Sequence, residues 1–565
     1  MTDFALDPYA ARSCPVKVHN WFDPTLPAPG PLDESLRESF QGGREFRHEV
    51  IRRIPGTNTV RIQREDPDAH RATMAAMAAG VPVIVHPRLP DQPHEHRSGQ
   101  PDVLVRGDAS PTGGPGYWPL RIKPYRLLER QLGGTDLLAS DLASLTELRP
   151  LPDLRYRVHR EGALLELAHF YRMLQALGYA SASAVGGAVG LDGFPQQQDR
   201  PIVAWIPLDL KFIRTFSRTS PTGHRQRSAL DRYDHEHGFR VYVAQQAMRR
   251  TGEGDPPAVV RPIRVRECEW CAWWETCRPR MDDDDLSLRI SKTPLDVREL
   301  QTLMSLGIHT VTQLAQADIE ALLPDYLPAT AHRDRSEQRL RQAARRARML
   351  AEGVELEKIT DDPVRLPRAG VEVDLDIETD DSGRTYLWGA LVSDRRHEHQ
   401  EYVHFSRFES LSITAEAALA GQFSAWLLDL LRRHPETLVY HYSDYETITL
   451  GRIAGRGLHP ATSELFGLVG EHFVDMFRSV RDHFVGVEGL GLKVVASKGA
   501  GFAWRDEEPG GLASQSWFAT AAFAESAAER DAARRRVLEY NEDDVRATWE
   551  VREWLERIDA EAHEA

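Results

Sequence analysis

The chain has 565 residues, 41% hydrophobic and 27% charged, with a mean hydropathy of −0.45, a globular balance that excludes a disordered or fibrous protein. No apolar run approaches the ~18 residues of a membrane span, and the first residues lack the basic-then-apolar order of a secretory signal, so a cytoplasmic protein with no membrane partner is expected. Lys+Arg 70 against Asp+Glu 85 gives a net charge of −15, which argues against a uniformly basic, phosphate-binding surface but leaves room for local basic patches.

At ~150 residues per domain the length predicts three or four domains, and composition shifts mark three blocks. Residues 1–281 read as mixed α/β, with short strands at 81–85 and 103–105 and a helix over 164–177 whose apolar residues recur every three or four positions. Residues 282–366 open on an acidic run, then predict a helix over 297–306, a turn at Gly307, a second helix over 311–315 and a basic helix over 336–350. That second block holds seven Arg between 333 and 348, against Asp334 and Glu337. Residues 367–565 begin with a strand at 371–378 and end in one long charged helix over 521–561. No internal repeat is present.

The strand at 371–378 alternates Val373, Leu375 and Ile377 with Asp374, Asp376 and Glu378, so the acids share one face and the aliphatics the other. Three like charges on one face are costly unless a cation neutralises them, and oxygen-preferring Mg²⁺ or Mn²⁺ is the natural candidate. Further along come Tyr440-His-Tyr-Ser-Asp444-Tyr-Glu446 and Tyr540-Asn-Glu-Asp543-Asp544. In a helix Tyr540 and Asp544 lie one turn apart on one face. A site of Asp376, Glu378, one acid near 446 and Asp544 could hold two metals that activate a water against a phosphodiester, with Tyr540 orienting that water. Asp444 is a rival to Glu446, Asp543 is excluded by its spacing, and Asp475 reads as a helix cap.

Four cysteines are too few for a disulfide framework, yet Cys268, Cys271 and Cys277 crowd into ten residues while Cys14 stands alone. Such a set could hold zinc or an iron–sulfur cluster. Trp270, Trp273 and Trp274 are expected to shield it from water.

The third block resembles the ribonuclease-H-like exonucleases of the DEDD group, in the subgroup with a Tyr four residues before the last Asp. Asp376-Ile-Glu378-Thr stands for the first motif, the segment ending at Glu446 for the second, with Glu where most members carry Asp, and Tyr540-xxx-Asp544 for the third. The one-plus-three cysteines resemble the iron–sulfur nucleases of the RecB-like PD-(D/E)XK superfamily. That likeness implies a [4Fe–4S] cluster on Cys14, Cys268, Cys271 and Cys277, with zinc as the alternative, stapling the two ends of the domain. Within that resemblance His70, Asp102 and Lys123 match nuclease-site positions. However, Arg121 occupies the place of an acid, and Glu166-xxx-Phe170 stands for Gln-xxx-Tyr. A cation cannot ligate Mg²⁺, so this first centre is expected to be impaired and its domain to bind DNA.

The whole arrangement resembles a bacterial family of RecB-like nucleases in which a RecB-like domain (1–281) precedes a ribonuclease-H-like domain (367–565), and in the helical linker between them (282–366) residues 303–311 resemble half of a helix–hairpin–helix. The likeness implies an α/β multidomain protein and a Mg²⁺- or Mn²⁺-dependent 3′–5′ exonuclease acting on DNA in preference to RNA, either standing alone or with a helicase supplied separately. Its rival is a non-catalytic iron–sulfur DNA-binding subunit of a helicase or defence complex.

Overall fold

The computed structural model describes residues 3–564, except 32–33, 132, 134–135, 195–196, 253, 291–294, 381–382, 396 and 507–510. The chain forms two compact units. The first holds residues 1–289, 295–310 and 318–340, and the second 290–294, 311–317 and 341–565. The segment 282–366 thus contributes to both.

The first unit is built on an eight-stranded sheet. In chain order its strands are β1 (Thr59–Arg61), β2 (Val83–Val85), β3 (Val103–Arg106), β4 (Tyr117–Ile122), β5 (Leu137–Asp141) and β6 (Ser144–Leu151), then, after helix α1 (Glu161–Ala176), β7 (Val185–Phe194) and β8 (Gln197–Pro207). Their spatial order is β1-β2-β3-β4-β7-β8-β5-β6, with β1–β2 and β4–β7 parallel and the remaining pairs antiparallel. The strands expected at 81–85 and 103–105 are β2 and β3, interior strands whose Val and Ile residues are buried on both faces. Helix α1 covers the expected 164–177 and packs its Leu164, Leu167, Phe170 and Leu174 into the core over β4 and β7. Helix α2 (Ala229–Ala247), started by a capping box between Ser228 and Asp231, lies against it.

In the middle segment, helices Val297–Ser305 and Val311–Gln316 flank Gly307, whose φ of +87° is the left-handed conformation that glycine adopts without strain. The basic helix Ser336–Glu352 buries Leu340, Ala343, Ala344 and Ala347. Several of its arginines are engaged with the protein itself. Arg339 pairs with the buried Glu299, Arg345 with Glu357, and Arg346 donates to the Gly486 carbonyl.

The second unit centres on five strands: β9 (Val371–Thr379), β10 (Thr385–Asp394), β11 (His399–Ser406), β12 (Leu438–His441) and β13 (Phe473–Asp475). They are arranged β11-β10-β9-β12-β13, with β9–β10 and β10–β11 antiparallel and β9–β12 and β12–β13 parallel. Helix α3 (Ile413–Arg433) packs Phe423 and Leu427 on Val373, Leu375 and Ile377, the aliphatic face of β9. Helix α4 (Tyr445–Ala454) follows β12. The single helix expected over 521–561 is two, α5 (Gly511–Phe523) and α6 (Ala527–Glu564). The break falls where the Ser526 hydroxyl accepts the Glu529 N–H and starts a new helix.

Helix α6 covers the acidic face of β9. Arg552, fully buried, forms ion pairs with Glu372 and with Asp374, Nη2 to Oδ2 2.7 Å, and Arg368 adds a second bond to Glu372 at 2.8 Å. Even so, burial pushes Asp374 up to about 6, against the pull of Arg552. Removing the partner of a buried ion pair strands the opposite charge. Arg552→Met should therefore cost about 3–5 kcal/mol of stability, read as a lowered Tm. An unchanged Tm would show that Glu372 and Asp374 do not need this counter-charge.

Candidate metal centre

Asp376 and Glu378 lie two residues apart on β9 and share the face turned to α6, which presents Tyr540 and Asp544 one turn apart. One carboxylate oxygen from each of Asp376, Glu378 and Asp544 falls within 4.8 Å of the others. Each ligand is held in turn. Asn541 donates Nδ2 to Asp376 Oδ2 at 2.7 Å and accepts from the Tyr402 hydroxyl at 2.8 Å. Ser514 donates to Glu378 at 2.9 Å, and Trp504 Nε1 to Asp544 at 2.7 Å. Lys493 Nζ donates to Tyr540 Oη at 2.7 Å. Gly389, directly opposite Asp376 on β10, makes room for Asn541, whose Oδ1 would lie 1.6 Å from any Cβ there.

Burial raises the pKa of Asp376, and the charges of Asp544, Glu378 and Glu446 push it further. Burial and Asp544 likewise raise Glu378, and burial raises Asp544 against the pull of Lys493. Three carboxylates that repel one another in a buried site, with only oxygen donors, fit a hard divalent cation such as Mg²⁺ or Mn²⁺. The Tyr540 phenol is raised by burial and by the same three acids, so it stays protonated and acts as a donor.

Glu446 sits buried in the first turn of α4, while Asp444 is exposed at the N-cap. Glu446 stands outside the close cluster. Its Oε2 is buried without a hydrogen bond, with His441 Nδ1 3.6 Å away. Asp543 is held by Arg505 at 2.8 Å, and Asp475 caps the helix Met476–His483 by accepting the Phe477 N–H.

In the first unit, Asp102, Arg121, Lys123 and Glu166 meet. Arg121 bridges the two acids, 3.1 Å from Asp102 and 2.8 Å from Glu166. Lys123 and Arg12 also pair with Glu166, at 2.6 and 3.1 Å, and Arg47 with Asp102 at 3.1 Å. Burial pushes Glu166 up, but Arg121, Lys123 and Arg12 bring it down to about 2. The contacts of this group do not include His70, which stands in the first turn of the helix Ala69–Ala78. His86 pairs with Asp102 through the backbone, its N–H donating to the Asp102 carbonyl at 3.0 Å.

Cys14, Cys268, Cys271 and Cys277 line one small cavity and form no disulfide. Trp273 and Trp274 line it too, but Trp270 is 36% exposed beneath Arg266 and does not shield it. Burial raises the Cys14, Cys268 and Cys277 thiols. Glu267 ties the two ends together, accepting from the Cys14 N–H at 3.1 Å and from Lys17 at 2.5 Å.

Lys493, Trp504, Ser514 and Asn541 were not read from the sequence. Asn541 stands inside the quoted Tyr540–Asp544 motif, and its neighbour's role could have drawn attention to it. The other three lie in segments without a motif.

Residues 373–556 match the model of the RNase_H superfamily, so the second unit carries an RNase H-like domain. Domains of this superfamily commonly hydrolyse phosphodiester bonds and usually use divalent metals. No curated protein and no solved structure matches the chain. No described helix is long and apolar enough to cross a membrane.

Two outcomes follow from this geometry. Asn541→Leu removes the donor that orients Asp376 and should weaken Mn²⁺ binding by about 10–100-fold in calorimetry. Because the cluster carboxylates are raised, metal must displace protons from them. Affinity should therefore rise with pH, by up to about tenfold per unit for each proton released, across the range in which the acids are partly protonated. A pH-independent affinity with no proton release would contradict those shifts.

Proposed function

We propose that the protein is a metal-dependent nuclease acting on DNA as a 3′–5′ exonuclease through the C-terminal site. The observation that carries this reading is the convergence of Asp376, Glu378 and Asp544 within 4.8 Å, with Tyr540 one turn before Asp544. A divalent metal held by these three carboxylates would supply Lewis acidity towards a phosphodiester and a polarised water. The Glu446 oxygen that makes no hydrogen bond, near enough for its charge to act on Asp376, would be the donor for a second cation. Tyr540, kept as a phenol, orients the nucleophile by hydrogen bonding. Lys493 holds that phenol in place and adds a positive charge where the phosphate must approach.

The N-terminal unit is, on the same reading, a RecB-like domain carrying a [4Fe–4S] cluster on Cys14, Cys268, Cys271 and Cys277 and presenting the DNA. Four sulfurs around one cavity, behind Trp273 and Trp274, support a bound group. A ligand joining residue 14 to residues 268–277 would close a long loop and stabilise the unit by restricting the unfolded chain. Arg121 in the acid's place supports the rival, a non-catalytic DNA-binding subunit beside a helicase, for that unit alone.

The test is Mn²⁺-dependent degradation of end-labelled single- and double-stranded DNA by anaerobically purified full-length protein. Stepwise shortening from the 3′ end is expected. Asp376→Ala should abolish it, and Tyr540→Phe should slow it by about 10²-fold. Binding without cleavage by the wild type would favour the non-catalytic reading. Brown, iron-containing protein that loses its colour in Cys271→Ser is expected for the cluster, and a colourless zinc-loaded protein overturns it.

A further inference from the structure

The N-terminal unit holds a second buried charge centre, and its balance is the reverse of the C-terminal one. Asp102 and Glu166 are each 2% exposed, and four cations surround them: Arg12, Arg47, Arg121 and Lys123. The centre therefore carries two positive charges in excess. Those charges are graded outward, with side-chain exposures of 9% for Lys123, 12% for Arg121, 28% for Arg47 and 30% for Arg12. The acids and Lys123 lie innermost, and Arg12 and Arg47 are the partly exposed members.

A carboxylate pair that binds a metal must leave its oxygens free. Here the Asp102 oxygens are taken by Arg47, Arg121 and the Ile122 N–H, 2.8 Å away. Those of Glu166 are taken by Arg12, Arg121 and Lys123. Arg121 thus supplies, on a covalent tether, the positive charge that a divalent cation would otherwise bring. Partly exposed guanidinium groups in surplus attract an anion, and their planar donors match the oxygens of a phosphodiester.

We propose that this centre binds a backbone phosphate of DNA directly, through Arg12 and Arg47, with Arg121 as a fixed cation that makes the binding independent of divalent metal. The choice of DNA rests on the nuclease reading above. It is tested apart from hydrolysis, by fluorescence anisotropy of a labelled oligonucleotide with the full-length Asp376→Ala protein in EDTA over a range of KCl. Arg12→Ala and Arg47→Ala should each weaken binding about tenfold. Each should also flatten the slope of log affinity against log salt by about one contact, that is by roughly 0.7–0.9. Arg47→Lys should keep most of the slope.

Unchanged affinity and slope in both alanine variants would overturn the proposal, as would binding that disappears in EDTA or no binding of DNA at all. Should Arg12→Ala lose its fold by circular dichroism, Arg47→Gln carries the test alone. Absence of Mn²⁺-dependent hydrolysis by the wild type, with this binding pattern intact, would overturn the nuclease reading and leave the phosphate site standing.

Discussion

The second unit depends on how one strand face full of carboxylates is neutralised. Glu372, Asp374, Asp376 and Glu378 follow one another along β9, and α6 lies over them. Burying four acids under a helix is unfavourable unless each finds a positive charge or a proton. The structure divides the task. Arg552 and Arg368 serve the first two, and among the described residues Lys493, through Tyr540, is the cation that reaches towards the last two. The end of the strand left short of cations is the end where Asp544 adds one more acid.

Helix α6 does both jobs with one stripe of residues. Asn541, Asp544, Thr548 and Arg552 recur at three- and four-residue intervals, so the helix that fixes the structural ion pair also sets the height of the Asp544 carboxylate above the sheet. Stability and site geometry are therefore linked through a rigid element rather than a loop, which is what a site needing sub-ångström placement requires.

Much of this was legible in the sequence. The alternation in 371–378 gave the strand, its aliphatic core face and the acids on the other, because a period of two leaves no other arrangement. It did not reveal that Asp374 belongs to Arg552, since the partners lie 178 residues apart and no local pattern joins them. Lys493, Trp504 and Ser514 were invisible for the same reason. The expected long C-terminal helix missed the break at Ser526, a cap whose signal is one hydroxyl in an otherwise helix-favouring stretch. In the first unit the sequence showed Arg121 two residues before Lys123. The consequence of Arg121, an ion-paired centre with Glu166 drawn in from α1, needed the fold. His70 was placed at that centre by resemblance alone.

Gly389 shows how a residue's type can mislead about its purpose. Glycines are usually explained by backbone freedom, but this one lies within a regular strand, in register with Asp376, and its place among the residues is defined by a void. What the position demands is the absence of volume. Alanine, the mildest replacement at most strand sites, would collide with the amide that steadies Asp376 as surely as a larger side chain. Tolerance at 389 is thus decided by size alone and tolerance at 541 by hydrogen-bonding chemistry. The two positions form a single lock in which one residue contributes only the space the other fills.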